Sequence, residues 1–128
     1  LLMLNLSAGY CDLQQFDQAI DLLEGLSQER LSGIVKMVHR LNLCVCYFYT
    51  GQNGKAMELY QASEKEFAPF RNNAAYGGNL AVLEMLADLE NGEKDRTAGL
   101  LKQARETWNH PRLQEDYRKI EERLENME

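Results

Sequence analysis

The sequence contains an internal repeat with a lag of 37 residues. Shifting the chain by that lag places Leu6 on Leu43, Tyr10 on Tyr47, Ala19 on Ala56, Leu22 on Leu59 and Leu23 on Tyr60. Within each copy, apolar residues recur at spacings of three and four, which is the period of an amphipathic helix. A repeat of this length is one structural unit that buries its apolar face against its neighbours. The repeat therefore predicts a stack of similar helical units.

Each copy divides into two helical segments at a short polar break. The first break covers residues 12–15 and the second covers residues 50–53. In the second, Gly51 can take the positive φ that ends a helix, and Asn53 can cap the helix that follows. A third, weaker copy has Gly92 in the role of Gly51. We therefore expect three helical hairpins, approximately at residues 1–32, 33–70 and 71–110.

One more helix is expected after the repeats, over residues 111–128. Pro111 fits the first turn of a helix because its missing N–H is not needed there. A narrow apolar stripe follows, made by Leu113, Tyr117, Ile120, Leu124 and Met127. We expect this helix to cap the last hairpin, as the ends of repeat arrays require. The alternatives are that it pairs with a second copy of itself or folds into a groove of the same chain.

Composition narrows the class of protein and its partners. With 45% hydrophobic residues and only two prolines, the chain is expected to be all-α. The formal net charge of −6 disfavours nucleic acids and anionic membranes as partners, and the sequence has no apolar run of the roughly 20 residues that span a bilayer. Three cysteines in 128 residues fit a reducing compartment, so a cytoplasmic location is expected.

The residues that could carry chemistry form no recognisable catalytic or metal-binding pattern. Cys44 and Cys46 are two residues apart, so on a helix they point about 200° away from each other and cannot converge on one ion. Cys11 has no partner that the sequence reveals. We expect His39 and His110 at the surface or at helix ends. The sequence thus predicts no enzyme, no bound metal and no cofactor.

The repeats resemble the tetratricopeptide (TPR) family. That family's signature is Trp-x₂-Leu-Gly-x₂-Tyr followed by Ala-x₃-Phe, and residues 3–10 with 19–23 and residues 43–47 with 56–60 are similar to it. Ser7, Ala19, Cys44 and Ala56 fall at the small positions where paired helices approach closely. The closing Pro is absent, and the lag of 37 exceeds the family's 34. The resemblance implies a right-handed α-α superhelix with a concave groove.

By the same resemblance, the first helices of the hairpins line that groove. The residues expected there are Asn5, Ala8, Asp12, Leu41, Asn42, Val45, Tyr49, Val82 and Leu86. Asn5 and Asn42 can grip a peptide backbone because an amide both donates and accepts; the alternative is ordinary solvent-facing Asn. Tyr47 is expected in the core. Tyr49, together with Phe48, is a candidate anchor for a ligand, and internal packing is the alternative.

These features lead to a functional expectation and two alternatives. We expect a scaffold module of a larger cytoplasmic protein that binds a protein or peptide ligand in an apolar concave groove. One alternative is the peptide-sensing regulatory domain of a bacterial transcription regulator. The other is a structural module that forms a homodimer through the apolar N-terminal edge, residues 1–4, or through the C-terminal helix.

Overall fold

The computed structural model describes residues 2–26 and 31–127 and, for residues 2–5, the backbone alone. In these residues the chain forms eight α-helices and no β-strand, which confirms the predicted all-α fold. No helix within them is both long enough and apolar enough to cross a bilayer. The helices are α1 (Leu2–Asp12), α2 (Phe16–Gly25), α3 (Gly33–Tyr49), α4 (Asn53–Ala62), α5 (Glu64–Phe67), α6 (Gly77–Glu90), α7 (Lys94–Thr107) and α8 (Gln114–Glu125).

The chain divides into two compact units, Leu1–Ala68 and Pro69–Glu128. In the N-terminal unit, α1 and α2 form one hairpin and α3 and α4 form a second; α3 also packs on α1 and α2, and α5 packs on α3 and α4. In the C-terminal unit, α6 and α7 form a hairpin and α8 packs on both. In each unit, therefore, a further helix packs on both members of a helical hairpin.

Three helices end in the same backbone motif, with one residue at positive φ. That residue is Gln14 (φ 62°) after α1, Gly51 (φ 78°) after α3 and Gly92 (φ 75°) after α6, which confirms the prediction for both glycines. The next residue in each case donates its amide to a carbonyl five positions back, in a Schellman motif. These bonds join Gln15 to Tyr10 at 2.8 Å, Gln52 to Tyr47 at 2.8 Å and Glu93 to Asp88 at 2.9 Å.

The second helix of each hairpin begins in an equally regular way. Its fourth residue is Ala19 in α2, Ala56 in α4 and Thr97 in α7, and each is completely buried. A small residue is required there because the two helices of the hairpin approach closely. The predicted role of Asn53 is wrong, since α4 begins after Gln52 and Asn53 lies inside its first turn.

In the C-terminal unit, α6 lies unusually close to the segment that links α7 to α8. A Cβ atom added to Gly77 would lie 2.5 Å from the ring of Trp108, and one added to Gly78 would lie 2.5 Å from Leu113. At Gly77 the added Cβ would also lie 2.9 Å from the Arg71 carbonyl oxygen, so glycine is required there, whereas at Gly78 the end of the Leu113 side chain would have to shift. Tyr117 of α8 is buried, and its hydroxyl donates to the Trp108 carbonyl at 2.8 Å. Since Ile120 and Leu124 are buried too, the stripe of α8 is used for packing within the unit.

Candidate functional site

Helix α3 is the central element of the N-terminal unit, because α1, α2, α4 and α5 all pack against it. All four neighbours make polar or sulfur contacts to α3 side chains. The contacts join His39 Nε2 to the Leu23 carbonyl of α2 at 2.7 Å, Cys44 Sγ to the Ala56 carbonyl of α4 at 3.9 Å, Cys46 Sγ to Cys11 Sγ of α1 at 3.2 Å, and Lys36 Nζ to Glu66 Oε1 of α5 at 3.0 Å. Most of the circumference of α3 is therefore covered by the unit itself.

One face of α3 remains partly exposed and is almost entirely apolar. It consists of Val35, Val38, Asn42, Val45 and Tyr49, which we call the α3 strip. Alternating spacings of three and four place these residues in one row along the helix. At 1.5 Å per residue the row is about 21 Å long. The α3 strip is thus a straight apolar surface with a single amide near its centre and no charge.

Helix α1 carries two more of the residues that were predicted to line a groove. Ala8 is partly exposed and Asp12 is exposed, and they are the counterparts of Val45 and Tyr49 one lag earlier in the chain. Tyr49 packs at one end of the α3 strip, with its ring centroid 5.0 Å from that of Phe16. The side chain of Asn5 lies outside the part of the chain that the structure describes. Five predicted residues, Ala8, Asp12, Asn42, Val45 and Tyr49, therefore lie at least partly exposed on two packed helices.

The other three predicted groove residues are buried: Leu41, Val82 and Leu86, with exposures of 2, 2 and 1%. Leu41 lies one residue, about 100°, away from the α3 strip and so turns inward. Val82 and Leu86 lie on the opposite side of α6 from its partly exposed Glu84 and Asp88. These side chains belong to the interior, which corrects the prediction that they line a binding surface.

The aromatic cluster of α3 divides between the core and the surface. Tyr47 is buried, as predicted, and its hydroxyl donates to the carboxylate of Glu24. Phe48 is also buried, so the suggestion that it contacts a ligand is wrong; each residue turns by about 100°, which takes Phe48 away from Tyr49. Tyr49 remains the aromatic residue of α3 that is accessible from the solvent.

His39 is completely buried in the middle of α3, so the prediction of a surface position is wrong. Its Nδ1 accepts from the Arg40 guanidinium at 2.7 Å, so the proton of the neutral ring must sit on Nε2, which donates to the Leu23 carbonyl. Burial, and secondarily the charge of Arg40, lower the pKa of His39, although the bond to Leu23 opposes this. The histidine therefore joins α2 to α3 as a neutral structural group.

Elsewhere in the described residues, no three His, Cys, Asp or Glu side chains come together as a metal site would require. A cavity of about 230 Å³ lies within the C-terminal unit, with Leu80 and Trp108 among its lining residues. Two oppositely charged side chains at this cavity, Arg71 and Glu84, lie 3.9 Å apart. Their charges offset each other, so the cavity is not strongly charged.

Comparisons of this chain with protein families, with curated proteins and with solved structures find no match. What the fold and the site define is therefore a class: an all-α protein of helical hairpins in which a central helix leaves an apolar row partly exposed.

Proposed function

We propose that this chain is a polypeptide-binding module whose α3 strip docks an amphipathic helix of a partner protein. The observation that carries the proposal is that Val35, Val38, Asn42, Val45 and Tyr49 form one partly exposed row on a helix most of whose remaining circumference is covered by its neighbours. The proposal includes a TPR-like stacking of the hairpins and a role in binding rather than catalysis.

A helix suits the α3 strip better than other partners do. Rows of side chains with spacings of three and four are the surfaces on which helices pack, and about 21 Å of row accommodates roughly four helical turns. The row carries no positive charge to receive phosphates, and the whole chain has a net charge of −6. An apolar face of a helix would instead remove the three valines and Tyr49 from water.

Asn42 gives the proposed contact a preferred alignment. Burying an amide among apolar side chains is unfavourable in free energy unless the amide forms a hydrogen bond. A docked helix with a polar residue opposite Asn42 satisfies that need, and a shifted helix does not. A single Asn in an apolar row fixes the register of coiled-coil helices in this way. The preferred partner therefore carries one polar residue within its apolar face.

The test uses a displayed library of amphipathic helical peptides as the source of a defined ligand. Peptides selected on the wild-type protein are measured against two variants that each add one carboxylate, Val45→Asp on the α3 strip and Ala98→Asp on an exposed position of α7. We expect Val45→Asp to weaken binding by about 100-fold, because a charge would be buried without a partner. Ala98→Asp is expected to change affinity by less than about twofold.

Three outcomes separate this proposal from its rivals. If both variants bind equally well, the α3 strip is not the docking site. If Val45→Asp loses binding only because it unfolds, its circular dichroism spectrum will show this, and the milder Val45→Ser replaces it. If the wild-type chain sediments as a dimer that Val45→Asp dissociates, the strip binds a second copy, and the proposal of a separate partner is overturned.

A further inference from the structure

Two cysteine sulfurs from different helices meet in the N-terminal unit. Cys11 Sγ and Cys46 Sγ lie 3.2 Å apart although 35 positions separate them in the sequence. Cys11 is in the last turn of α1, and Cys46 lies on the face of α3 against which α1 packs. All three cysteines of the chain are thiols. A disulfide needs its sulfurs about 2.05 Å apart, so roughly 1.2 Å of approach would bring this pair from 3.2 Å to bonding distance.

The two thiols differ in their access to solvent. Cys11 is partly exposed, whereas Cys46 is completely buried. A dissolved oxidant can therefore reach Cys11 and cannot reach Cys46 directly. Cys44 is no competitor, since it is completely buried and contacts the Ala56 carbonyl on another side of α3.

We propose that Cys11 and Cys46 form a redox-sensitive pair, in which oxidation by a low-molecular-weight disulfide such as oxidised glutathione closes a bond between α1 and α3. In the first step, the Cys11 thiolate attacks one sulfur of oxidised glutathione and displaces a glutathione thiolate. In the second, Cys46 attacks the Cys11 sulfur of this mixed disulfide and displaces a second glutathione thiolate. The two protein protons pass to those thiolates, so two thiols are oxidised and one oxidised glutathione becomes two reduced ones.

The surroundings of the sulfurs favour this order of events. The hydrogen bond to Cys11 and, secondarily, burial raise the pKa of Cys46, so Cys46 stays protonated while Cys11 is a thiol. Burial also raises the pKa of Cys44, to about 12, but the Cys44 sulfur contacts the Ala56 carbonyl, whereas the Cys46 sulfur lies beside Cys11. Modification of Cys11 removes its hydrogen-bonding role and leaves Cys46 beside an electrophilic sulfur. Cys11 therefore reacts first, and Cys46 completes the bond.

Closing this bond tethers α1 to the body of the N-terminal unit. In the reduced chain non-covalent contacts hold α1 on α3, while in the oxidised chain a covalent link would join residues 35 positions apart. A crosslink of this span restricts the unfolded chain, and we expect the melting temperature to rise by about 5–10 °C. The inference does not depend on what the α3 strip binds, since it concerns only the anchoring of α1.

The test equilibrates the full chain in mixtures of oxidised and reduced glutathione, then blocks remaining thiols with a maleimide. We expect a product that has lost two hydrogens, retains one blocked thiol and yields a single crosslinked peptide pair containing Cys11 and Cys46. The change should reverse fully with dithiothreitol. Cys44→Ala is the matched control from the same helix, and it should form the bond with an unchanged dependence on the glutathione ratio.

The partly exposed cysteine of the pair provides the second part of the test. Cys11→Ser, at a partly exposed position, should abolish both the crosslink and the oxidation-dependent rise in melting temperature. A wild-type protein that accumulates glutathione on Cys11 without closing the bond would overturn the inference. So would peptide mapping that pairs Cys11 with Cys44, or a chain that keeps three blockable thiols at every ratio.

Discussion

Helices α3 and α6 occupy corresponding places in their hairpins, yet they present different surfaces. Each is the first helix of a hairpin and ends in a glycine at positive φ. Aligning Gly51 with Gly92 places Asn42 and Val45 of the α3 strip on Leu83 and Leu86, and both leucines are buried. The partly exposed face of α6 instead carries charges, Glu84 and Asp88 among them.

The difference shows which features define the repeating unit and which define its surface. The backbone motif and the small buried residues recur in both units, so they set the hairpin geometry. The charges of α6 have partners within the chain, since Arg96 contacts Glu84 at 3.0 Å and Asp88 at 2.9 Å. The valines of the α3 strip carry no charge to pair. Under the proposed function they are stabilised when another polypeptide buries them.

The largest expected effect tests the close approach of the helices in a hairpin. Ala56→Leu adds three carbons at a completely buried position, and we expect it to destabilise the chain by about 2–3 kcal/mol in urea unfolding. Ala62→Leu makes the same change on the exposed side of α4 and is expected to cost less than about 0.5 kcal/mol. Equal effects would mean that the α3–α4 contact is not close-packed.

A second comparison tests whether the three helix ends are equivalent. Gly51→Ala and Gly92→Ala each place a Cβ in the left-handed region, where open space does not relieve the backbone strain, so each should cost about 1–2 kcal/mol. Gln14→Gly removes that strain from the corresponding place after α1 and should stabilise by up to about 1 kcal/mol. Unequal losses at the two glycines, or a loss at residue 14, would break the equivalence.

A third prediction concerns the pH dependence of stability. It applies to α3, which contains His39, and not to α6, which has no histidine. Because the pKa of His39 is lowered in the folded state, the unfolded chain takes up the proton first as the solution becomes acidic. The contribution of neutral His39 to the free energy of unfolding is complete above the unfolded pKa of about 6.5. It decreases as the pH falls from there towards the folded pKa. We expect up to about 1.4 kcal/mol of loss between pH 7.5 and 5.5.

The control for this pH effect is His39→Gln, measured by urea unfolding at both pH values. Glutamine can donate to the same Leu23 carbonyl, but it does not titrate. The variant should be less stable than the wild type at pH 7.5 and should show a smaller loss on acidification. An unchanged pH dependence would show that other groups cause it.

The smallest effect is expected on the charged face of α6. Arg96→Gln removes an ion-pair partner of Glu84 and Asp88, but the guanidinium is largely exposed, so the loss of stability should be the smallest of these effects and should shrink in high salt. Arg123→Gln, at an exposed position of α8, is the matched control. A loss as large as that of Gly92→Ala would mean that this ion-pair network is a major stabilising element.

The sequence predicted the helices well because apolar spacing and glycine breaks act locally. The breaks after α1, α3 and α6 lie where the polar residues placed them, and Gly51 and Gly92 take positive φ. The side chain of His39 was misplaced because its partner is the Leu23 carbonyl near the end of α2, and a backbone acceptor leaves no mark in the sequence.

The contact between Cys11 and Cys46 was missed for a related reason. Adding the lag of 37 to residue 11 gives Phe48, so the repeat offers no hint that Cys11 faces Cys46. That contact depends on how α1 packs across α3, which is tertiary information. Likewise, the family resemblance assigned Val82 and Leu86 to a groove because it aligns positions, whereas exposure depends on which neighbours cover each helix.

The valines of the chain provide the most direct test of the α3 strip. There are four, and three of them, Val35, Val38 and Val45, lie on the strip, while Val82 is buried in α6. Valine-methyl NMR on addition of a selected helical peptide should shift the three strip signals and leave the Val82 signal in place. A peptide that binds while shifting Val82 alone, or none of the strip valines, would contradict docking on α3.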